Sequence, residues 1–253
     1  GNNNSIIGNL IYNITGAFYE GSSGADLIGG DYSICASYNS LVANNSIINS
    51  KVAGAAIALC DNSTAYGNYI EITSDNYGIR IFGSNCEVYE NNINFLSGTG
   101  IYSAIKLDNL RIYDNIINSV SSNVSDLGTG KGVGIYINYQ SSSKRPTNVY
   151  VSNNTIYTSN KVAINLGRCD VSTLNYIDNN NIFKASVTLP EGYNSTDKPG
   201  DNSSSTNTTN TTNTTITVNT FYINENNFKE FFINYYLTDL FLITIINAKI
   251  KKT

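Results

Sequence analysis

The sequence predicts an all-β protein, a right-handed parallel β-helix built as a solenoid of coils of about 23 residues. Three observations predict it. An asparagine recurs once per coil, an isoleucine follows it two positions later, and short alternating segments are bounded by Asn, Gly and Ser. Alternation over a few residues is strand periodicity, and a repeat of 20 to 50 residues is typical of solenoids.

The recurring asparagine sets the length of the coil. It occurs at Asn9, Asn45, Asn68, Asn91, Asn115, Asn154 and Asn180. The uninterrupted spacings are 23, 23 and 24 residues. Isoleucine follows two positions later in every case, at Ile11, Ile47, Ile70, Ile93, Ile117, Ile156 and Ile182. An aliphatic residue precedes six of the seven by three positions, at Val42, Ala65, Val88, Ile112, Val151 and Ile177.

A second marker, a small or neutral residue followed by isoleucine, lies between these asparagines. Its positions are Ile34, Ile57, Ile79, Ile105, Ile135 and Ile164. One coil cannot bury its apolar side alone, but stacked coils place isoleucine on isoleucine in a continuous core. Asparagine tolerates the left-handed backbone of a sharp corner, and its amide can bond the equivalent amides above and below. We therefore expect a structural ladder of Asn45, Asn68, Asn91, Asn115, Asn154 and Asn180. No hexapeptide period, the mark of a left-handed β-helix, is present.

The repeat units resemble a known family. They read VANNSIINS, AYGNYIEITS, VYENNINFLS, IYDNIINSVS and VSNNTIYTS, with GIRI, AIKL, GIYI and AINL between them. These units resemble the right-handed parallel β-helix repeat family and, more narrowly, the Asn- and Thr-rich adhesin-like surface proteins of methanogenic archaea. The resemblance covers roughly residues 1–187. It implies an extracellular or cell-surface location and a fold shared by adhesins, lyases and glycosidases.

The chain divides into three predicted parts. Residues 1–189 form the β-helix domain, 190–215 an Asn/Thr/Ser-rich linker, and 216–253 the start of a further module or a C-terminal tail. Asn-X-Ser/Thr triplets, the acceptor motif for N-glycosylation, crowd the linker and recur in the repeat. We expect poor access at Asn44 and Asn153, which adjoin the ladder. In the tail, residues 231–246 are apolar, so a membrane anchor is an alternative to a truncated module or a tail paired back on the solenoid.

Composition excludes several function classes. Charged residues make up 13% of the chain, the net charge is −4, and no basic run precedes residue 190, which argues against nucleic acid. The chain has no histidine, and its four cysteines lack zinc-site spacing, so we expect no metal and no cofactor. An isolated calcium site at Asp26 and Asp31 is an alternative. The cysteines fit small buried hydrophobic positions, with disulfide pairing as the alternative.

The predicted function is that of a non-catalytic, adhesin-like cell-surface protein that binds glycans or neighbouring cells, with a polysaccharide or cell-surface glycan as the expected partner. Two loops, 16–32 and 120–132, lengthen one corner, and two others, 138–148 and 168–175, lengthen a second. Such clustering suits a binding edge, although neutral loop growth explains it equally well. Membrane association is expected only through the wider protein or the C-terminal tail.

Tyr66, Tyr89 and Tyr113 lie on three successive coils, two residues before the asparagine. They are the candidate ligand-binding residues, because tyrosine rings pack on sugars. The alternative is an aromatic ladder that stabilises the strands.

A carbohydrate-active enzyme and a structural stalk are the alternative functions. The nearest approach to a catalytic group is Arg80, Lys106, Asp108 and Arg111. Arg80 and Lys106 each follow the small-Ile marker and are therefore expected on neighbouring coils, with Asp108 as an ion-pair partner. The sequence contains no Asp-Asp pair and no aspartate cluster of the kind that hydrolases of this fold use.

Overall fold

The computed structural model confirms the predicted fold, a right-handed parallel β-helix. It describes residues 3–15, 31–52, 54–96, 98–103, 105–119, 132–139, 144–158, 160, 162–183 and 185–194. Three sheets contain seven strands each, and every pairing is parallel between strands of adjacent coils. The chain passes from sheet A to sheet B to sheet C and then repeats, so each coil adds one strand to each sheet.

The strands are numbered β1 to β21 in chain order. Sheet A contains β1 (Ser5–Ile7), β4 (Leu41–Ala43), β7 (Thr64–Tyr66), β10 (Cys86–Tyr89), β13 (Asp108–Tyr113), β16 (Thr147–Ser152) and β19 (Asn175–Tyr176). Sheet B contains β2 (Leu10–Tyr12), β5 (Ser46–Ser50), β8 (Tyr69–Ile72), β11 (Asn92–Phe95), β14 (Ile116–Ser119), β17 (Thr155–Tyr157) and β20 (Asn181–Phe183). Sheet C contains β3 (Tyr32–Ala36), β6 (Ala55–Leu59), β9 (Tyr77–Ile81), β12 (Thr99–Ser103), β15 (Ile135–Ile137), β18 (Val162–Asn165) and β21 (Ser186–Thr188).

The core consists of aliphatic rows that run along the solenoid axis. The isoleucines that follow the recurring asparagine pair with one another throughout sheet B, from Ile11 to Ile182. Those of the five central coils are fully buried. Burial of apolar surface at about 25 cal/mol per Å² is the main stabilising contribution in such a core.

Two predicted core positions were wrong. In sheet C the residue that pairs with Ile79 and Ile135 is Ile101, so the marker placed at Ile105 lies four residues too late. In sheet A the residue that pairs with Val151 is the buried Tyr176, not Ile177. Both errors arise where the coil changes length, because a fixed offset from the asparagine cannot detect an inserted or deleted corner residue.

Glycine is required where sheet C approaches sheet B. A Cβ on Gly100 would lie 2.6 Å from both the carbonyl oxygen of Gly134 and Cγ2 of Ile117. A Cβ on Gly78 would lie 2.5 Å from Cγ2 of Ile93, and a Cβ on Gly134 would lie 2.6 Å from Cγ2 of Ile156. The row of glycines therefore sets how closely the two sheets pack, since real Cβ atoms do not approach that near.

At the corner between sheets A and B, the left-handed backbone and the ladder hydrogen bonds belong to two neighbouring residues, although both were predicted for one asparagine. The ladder asparagine does not take the left-handed backbone. The residue before it does, as in Asn44 (φ 53°), Glu90 (φ 54°), Asp114 (φ 56°) and Asn153 (φ 53°). The corner between sheets C and A uses left-handed asparagines as well. They are Asn3, Asn39, Asn62, Asn85, Asn109 and Asn148.

The inward-facing asparagines form a continuous hydrogen-bonded ladder from Asn9 to Asn180. Each Nδ2 donates to Oδ1 of the next asparagine at 2.9 to 3.0 Å. Each backbone N–H donates to the same oxygen at 2.8 to 3.1 Å. The ladder thus satisfies buried polar groups at a corner where the strand hydrogen bonds are interrupted.

The four cysteines are free thiols. Cys60, Cys86 and Cys169 are buried, as expected for small hydrophobic positions, but Cys35 is exposed on the outer side of sheet C, where that expectation was wrong. Burial raises the pKa of the Cys86 thiol to about 11 and that of Cys169 to about 12.

All described residues belong to one compact unit, Gly1–Asn202. Asp26, the loop 16–30, the loop 120–131, most of the predicted linker and the whole predicted tail lie outside the described residues. Within the described ranges, no helix has the length and apolar character needed to cross a membrane.

Candidate ligand-binding cleft

The three predicted ligand-binding tyrosines form a column on the outer face of sheet A. The ring of Tyr89 stacks on Tyr66 at 5.0 Å and on Tyr113 at 4.9 Å, with interplanar angles of 3° and 4°. Tyr150 continues the column with an edge contact to Tyr113 at 6.4 Å. Because the rings cover each other's faces, they present mainly edges and hydroxyl groups to solvent. This geometry favours the strand-stabilising ladder over stacking on sugar rings.

The residues considered as a catalytic group are dispersed. Arg80 pairs with Tyr102 of the next coil, not with Lys106, and its guanidinium lies over Phe82 at 4.4 Å. Arg111 forms an ion pair with Glu87 at 3.4 Å, the one ion pair within the described part of the chain. The expected pairing of Asp108 with these cations was therefore wrong.

The carboxylate of Asp108 has other partners. It accepts hydrogen bonds from Thr147 Oγ1 and Asn148 Nδ2, each at 2.6 Å. The bond from Thr147 is the main cause that holds the pKa of this carboxyl below its usual range. Asp108 therefore ties β13 to β16 at the corner between sheets C and A, a structural role.

The second pair of long loops does meet at one corner. The segment after β15 and the segment after β18 both connect sheet C to sheet A, on successive coils. Residues of these two segments, together with Glu191 after β21, line one open cavity of about 530 Å³, here called the cleft, which is bounded by Arg145, Gly167, Arg168, Asp170, Val171 and Glu191. The first pair, 16–32 and 120–132, falls almost wholly outside the described residues.

An arginine–tyrosine group lies at the cleft: Arg145 and Arg168 line it, and Tyr139 contacts both. The Arg168 guanidinium lies 5.0 Å from the ring centre of Tyr139 and donates to its hydroxyl oxygen at 2.8 Å. Arg145 lies over the same ring at 5.7 Å and donates to the carbonyl oxygen of Cys169 at 3.5 Å. Tyr139 therefore contacts two guanidinium groups from different coils, and guanidinium groups bind planar, charged ligand groups such as carboxylates.

The carboxylates at the cleft differ in how they are engaged. Asp170 Oδ1 accepts hydrogen bonds from the backbone N–H of Ser172 at 2.9 Å and from its hydroxyl at 2.5 Å. The hydroxyl bond is the main cause that lowers the pKa of Asp170. Neither Arg145 nor Arg168 has a carboxylate within ion-pair distance among the described residues. Neither charge therefore has a carboxylate partner among the described residues, while Oδ1 of Asp170 is engaged within its own turn.

The sequence analysis pointed to the loops of this corner but missed the residues within them. Tyr139, Arg145 and Arg168 were not singled out, because nothing in the linear sequence shows that Tyr139 and Arg168, 29 residues apart, share a surface with Arg145. A usable signal existed: in a chain so poor in charge, both extended loops of one corner carry arginine.

Comparison with known protein families, with characterised proteins and with solved structures found no match to this chain. In the described ranges no three His, Cys, Asp or Glu side chains come together in a way that could hold a metal ion. The fold and the cleft are therefore the basis for the functional proposal.

Proposed function

We propose that this parallel β-helix is a non-catalytic module of a cell-surface, adhesin-like protein, and that it binds acidic glycans at the cleft. The observation that carries the proposal is the convergence of Arg145 and Arg168 on Tyr139 without a carboxylate partner in the described chain. Guanidinium groups recognise carboxylate and sulfate groups in bidentate fashion, and a tyrosine between them adds a hydroxyl and an apolar surface.

The placement of the cleft also supports binding. A solenoid supplies a rigid scaffold and its corner loops supply specificity, so a ligand group held between two coils is positioned by the core beneath them. Val149, in the strand that follows Arg145, and Ile164, in the strand that precedes Arg168, are fully buried. The ends of both loops are therefore anchored in the core rows.

The test is binding of the full chain to a uronic acid polymer and to a neutral glucan, by affinity gel electrophoresis. The double substitution Arg145→Gln and Arg168→Gln should weaken uronate binding at least ten-fold, since a charged hydrogen bond contributes about 1.5–3 kcal/mol. Arg111→Gln is the matched control: it removes the same charge per site on sheet A, and it should change binding less than two-fold. Equal binding of the neutral polymer, or an equal loss in the Arg111→Gln control, would contradict the proposal.

A second candidate function, glycoside hydrolysis, rests on Asp170 and Glu191, which line the same cleft. Hydrolases pair two carboxyl groups, one of which must be protonated to act as the acid. The lowered pKa of Asp170 suits a base or a nucleophile. Release of soluble oligosaccharide in the binding assay, abolished by Glu191→Gln, would establish hydrolysis in place of simple binding.

A further inference from the structure

The outward asparagines of the coil corners share a feature that the ladder asparagines lack. Five described residues begin an Asn-X-Ser/Thr triplet and have left-handed backbone: Asn3 (φ 62°), Asn13 (φ 55°), Asn44 (φ 53°), Asn62 (φ 57°) and Asn153 (φ 53°). All five side chains are exposed. The expectation of poor access was therefore wrong for Asn44, because its neighbour Asn45 turns into the ladder, whereas Nδ2 of Asn153 donates to Asp114.

In the triplets at 44–46 and 62–64 the three residues alternate across the corner. At 44–46 the middle residue, Asn45, is buried in the ladder, and Ser46 begins β5 on its outer side, as its buried neighbour Ile47 shows. At 62–64 the middle residue, Ser63, is likewise buried and Thr64 begins β7. The amide of the first residue and the hydroxyl of the third thus lie on the solvent side together.

None of the ladder asparagines begins an Asn-X-Ser/Thr triplet. Each is followed two positions later by an isoleucine, which is fully buried in the five central coils, so the position that must carry Ser or Thr is occupied by an aliphatic residue. The repeat therefore separates its asparagines into inward ones that bond to one another and outward ones that carry the acceptor motif. A glycan on the outward set would extend into solvent without disturbing the ladder.

We propose that the corner asparagines Asn3, Asn13, Asn44 and Asn62 are N-glycosylation sites compatible with the folded coil. At these four the structure shows no hydrogen bond from Nδ2 to another described residue, whereas Nδ2 of Asn153 donates to Asp114. Asn13 and Asn62 accept hydrogen bonds only at Oδ1, from Asn49 and Asn85. Nδ2, the atom that is glycosylated, is therefore not engaged by another described residue at these four positions.

The chemistry needs a lipid-pyrophosphate-linked oligosaccharide as donor. A bond forms between Nδ2 and C1 of the first sugar, and the bond between C1 and the phosphate oxygen breaks. The lipid pyrophosphate leaves with that electron pair, and Nδ2 loses one proton. The product keeps the carbonyl oxygen Oδ1 as an acceptor, so the bonds from Asn49 and Asn85 are retained.

In the experiment, the full chain is secreted from a eukaryotic host. Occupied asparagines are then mapped by mass spectrometry after enzymatic deglycosylation in heavy-oxygen water. The linker triplets at Asn207, Asn210 and Asn213 are internal positive controls. We expect Asn44 and Asn62 to be occupied in material that still unfolds cooperatively. Occupied linker triplets with empty corner triplets would overturn the proposal, as would glycans at the corners only in unfolded protein.

A gain-of-site variant tests the geometry directly. Leu41 pairs with Thr64 in sheet A, and the preceding Asn39 (φ 56°) and buried Ser40 match Asn62 and Ser63. Leu41→Thr therefore copies the triplet of the next coil and should make Asn39 a new occupied site. Failure of Asn39 to be modified in folded protein, while Asn62 is modified, would show that corner geometry does not define the site.

Discussion

Replacing one ladder asparagine tests what holds the coils together. Asn91 donates from Nδ2 to Asn115 Oδ1 at 3.0 Å and to the carbonyl oxygens of Ala65 and Tyr89 at 3.0 and 2.9 Å. Its Oδ1 accepts from the backbone N–H and Nδ2 of Asn68 at 3.1 and 2.9 Å. Asn91→Ala removes all of these and leaves the buried N–H of Asn68 without its acceptor.

The expected loss of stability can be worked out from these hydrogen bonds. An orphaned buried N–H costs about 2 kcal/mol, and loss of the remaining hydrogen bonds adds about 2 kcal/mol more. We expect Asn91→Ala to lower the free energy of unfolding by about 4 kcal/mol, a large part of the roughly 10 kcal/mol typical of a domain. Urea denaturation of the full chain, followed by circular dichroism in the strand region, measures this difference.

The adjacent residue is the matched control. Asn92 lies on the outer side of β11 and accepts one side-chain hydrogen bond, from Asn94 at 3.2 Å. Asn92→Ala should change the free energy of unfolding by less than about 1 kcal/mol. If Asn91→Ala were as mild as Asn92→Ala, the ladder would be a consequence of the fold and not a source of its stability.

Three further predictions concern packing and titration. Gly100→Val should destabilise the protein by about 3 kcal/mol because its Cβ meets backbone at 2.6 Å, whereas Gly167→Ala, whose Cβ meets no atom nearer than 3.1 Å, should cost much less. Tyr89→Ala should lower the free energy of unfolding by about 2 kcal/mol, because two ring contacts are lost. Tyr89→Phe keeps both ring contacts and should change it almost not at all. Equal losses for the two variants would show that the hydroxyl group matters and not the stacking. Above pH 9 the unfolded thiols of Cys86 and Cys169 lose protons that the folded state retains, since the folded pKa values are about 11 and about 12. The free energy of unfolding should therefore fall as pH rises through that window, and a double alanine variant should show a flatter decline in urea titrations at stepped pH.

The sequence was sufficient to predict the three sheets because the sequence repeat follows the path of the backbone around each coil. Every coil must return a strand to each sheet, so the isoleucines of sheet B could be aligned by counting from the asparagine. The same counting failed at Ile105 and Ile177, where corner length changes. Strand pairing is decided there by which residue fits the buried row, and an offset in sequence does not contain that information.

The cleft could be predicted only to the level of its loops. Loop length showed that two insertions share a corner, but the direction of each side chain depends on backbone torsions within the insertion. Arg145 and Arg168 converge because both loops begin and end at fixed strands, while their partner Tyr139 lies just after β15. For the tyrosine column, the residues could be predicted from the sequence but the orientation of their rings could not. Its members could be identified from a constant offset, yet only the interplanar angles of 3° and 4° show that their faces are covered.

Core and corner residues contribute differently to the stability of the coil. The ladder, the glycine row and the isoleucine rows all lie inside the coil, and substitution there disturbs neighbouring coils on both sides. The cleft residues Arg145 and Arg168 lie on segments that contribute no core side chain of their own at those positions, since both are exposed. Exchange of cleft residues should therefore alter glycan preference at little cost in stability, usually within about 0.5 kcal/mol for surface positions. A measured loss of stability in Arg145→Gln, Arg168→Gln comparable with that of Asn91→Ala would mean that the arginine–tyrosine group is part of the scaffold and not of a binding site.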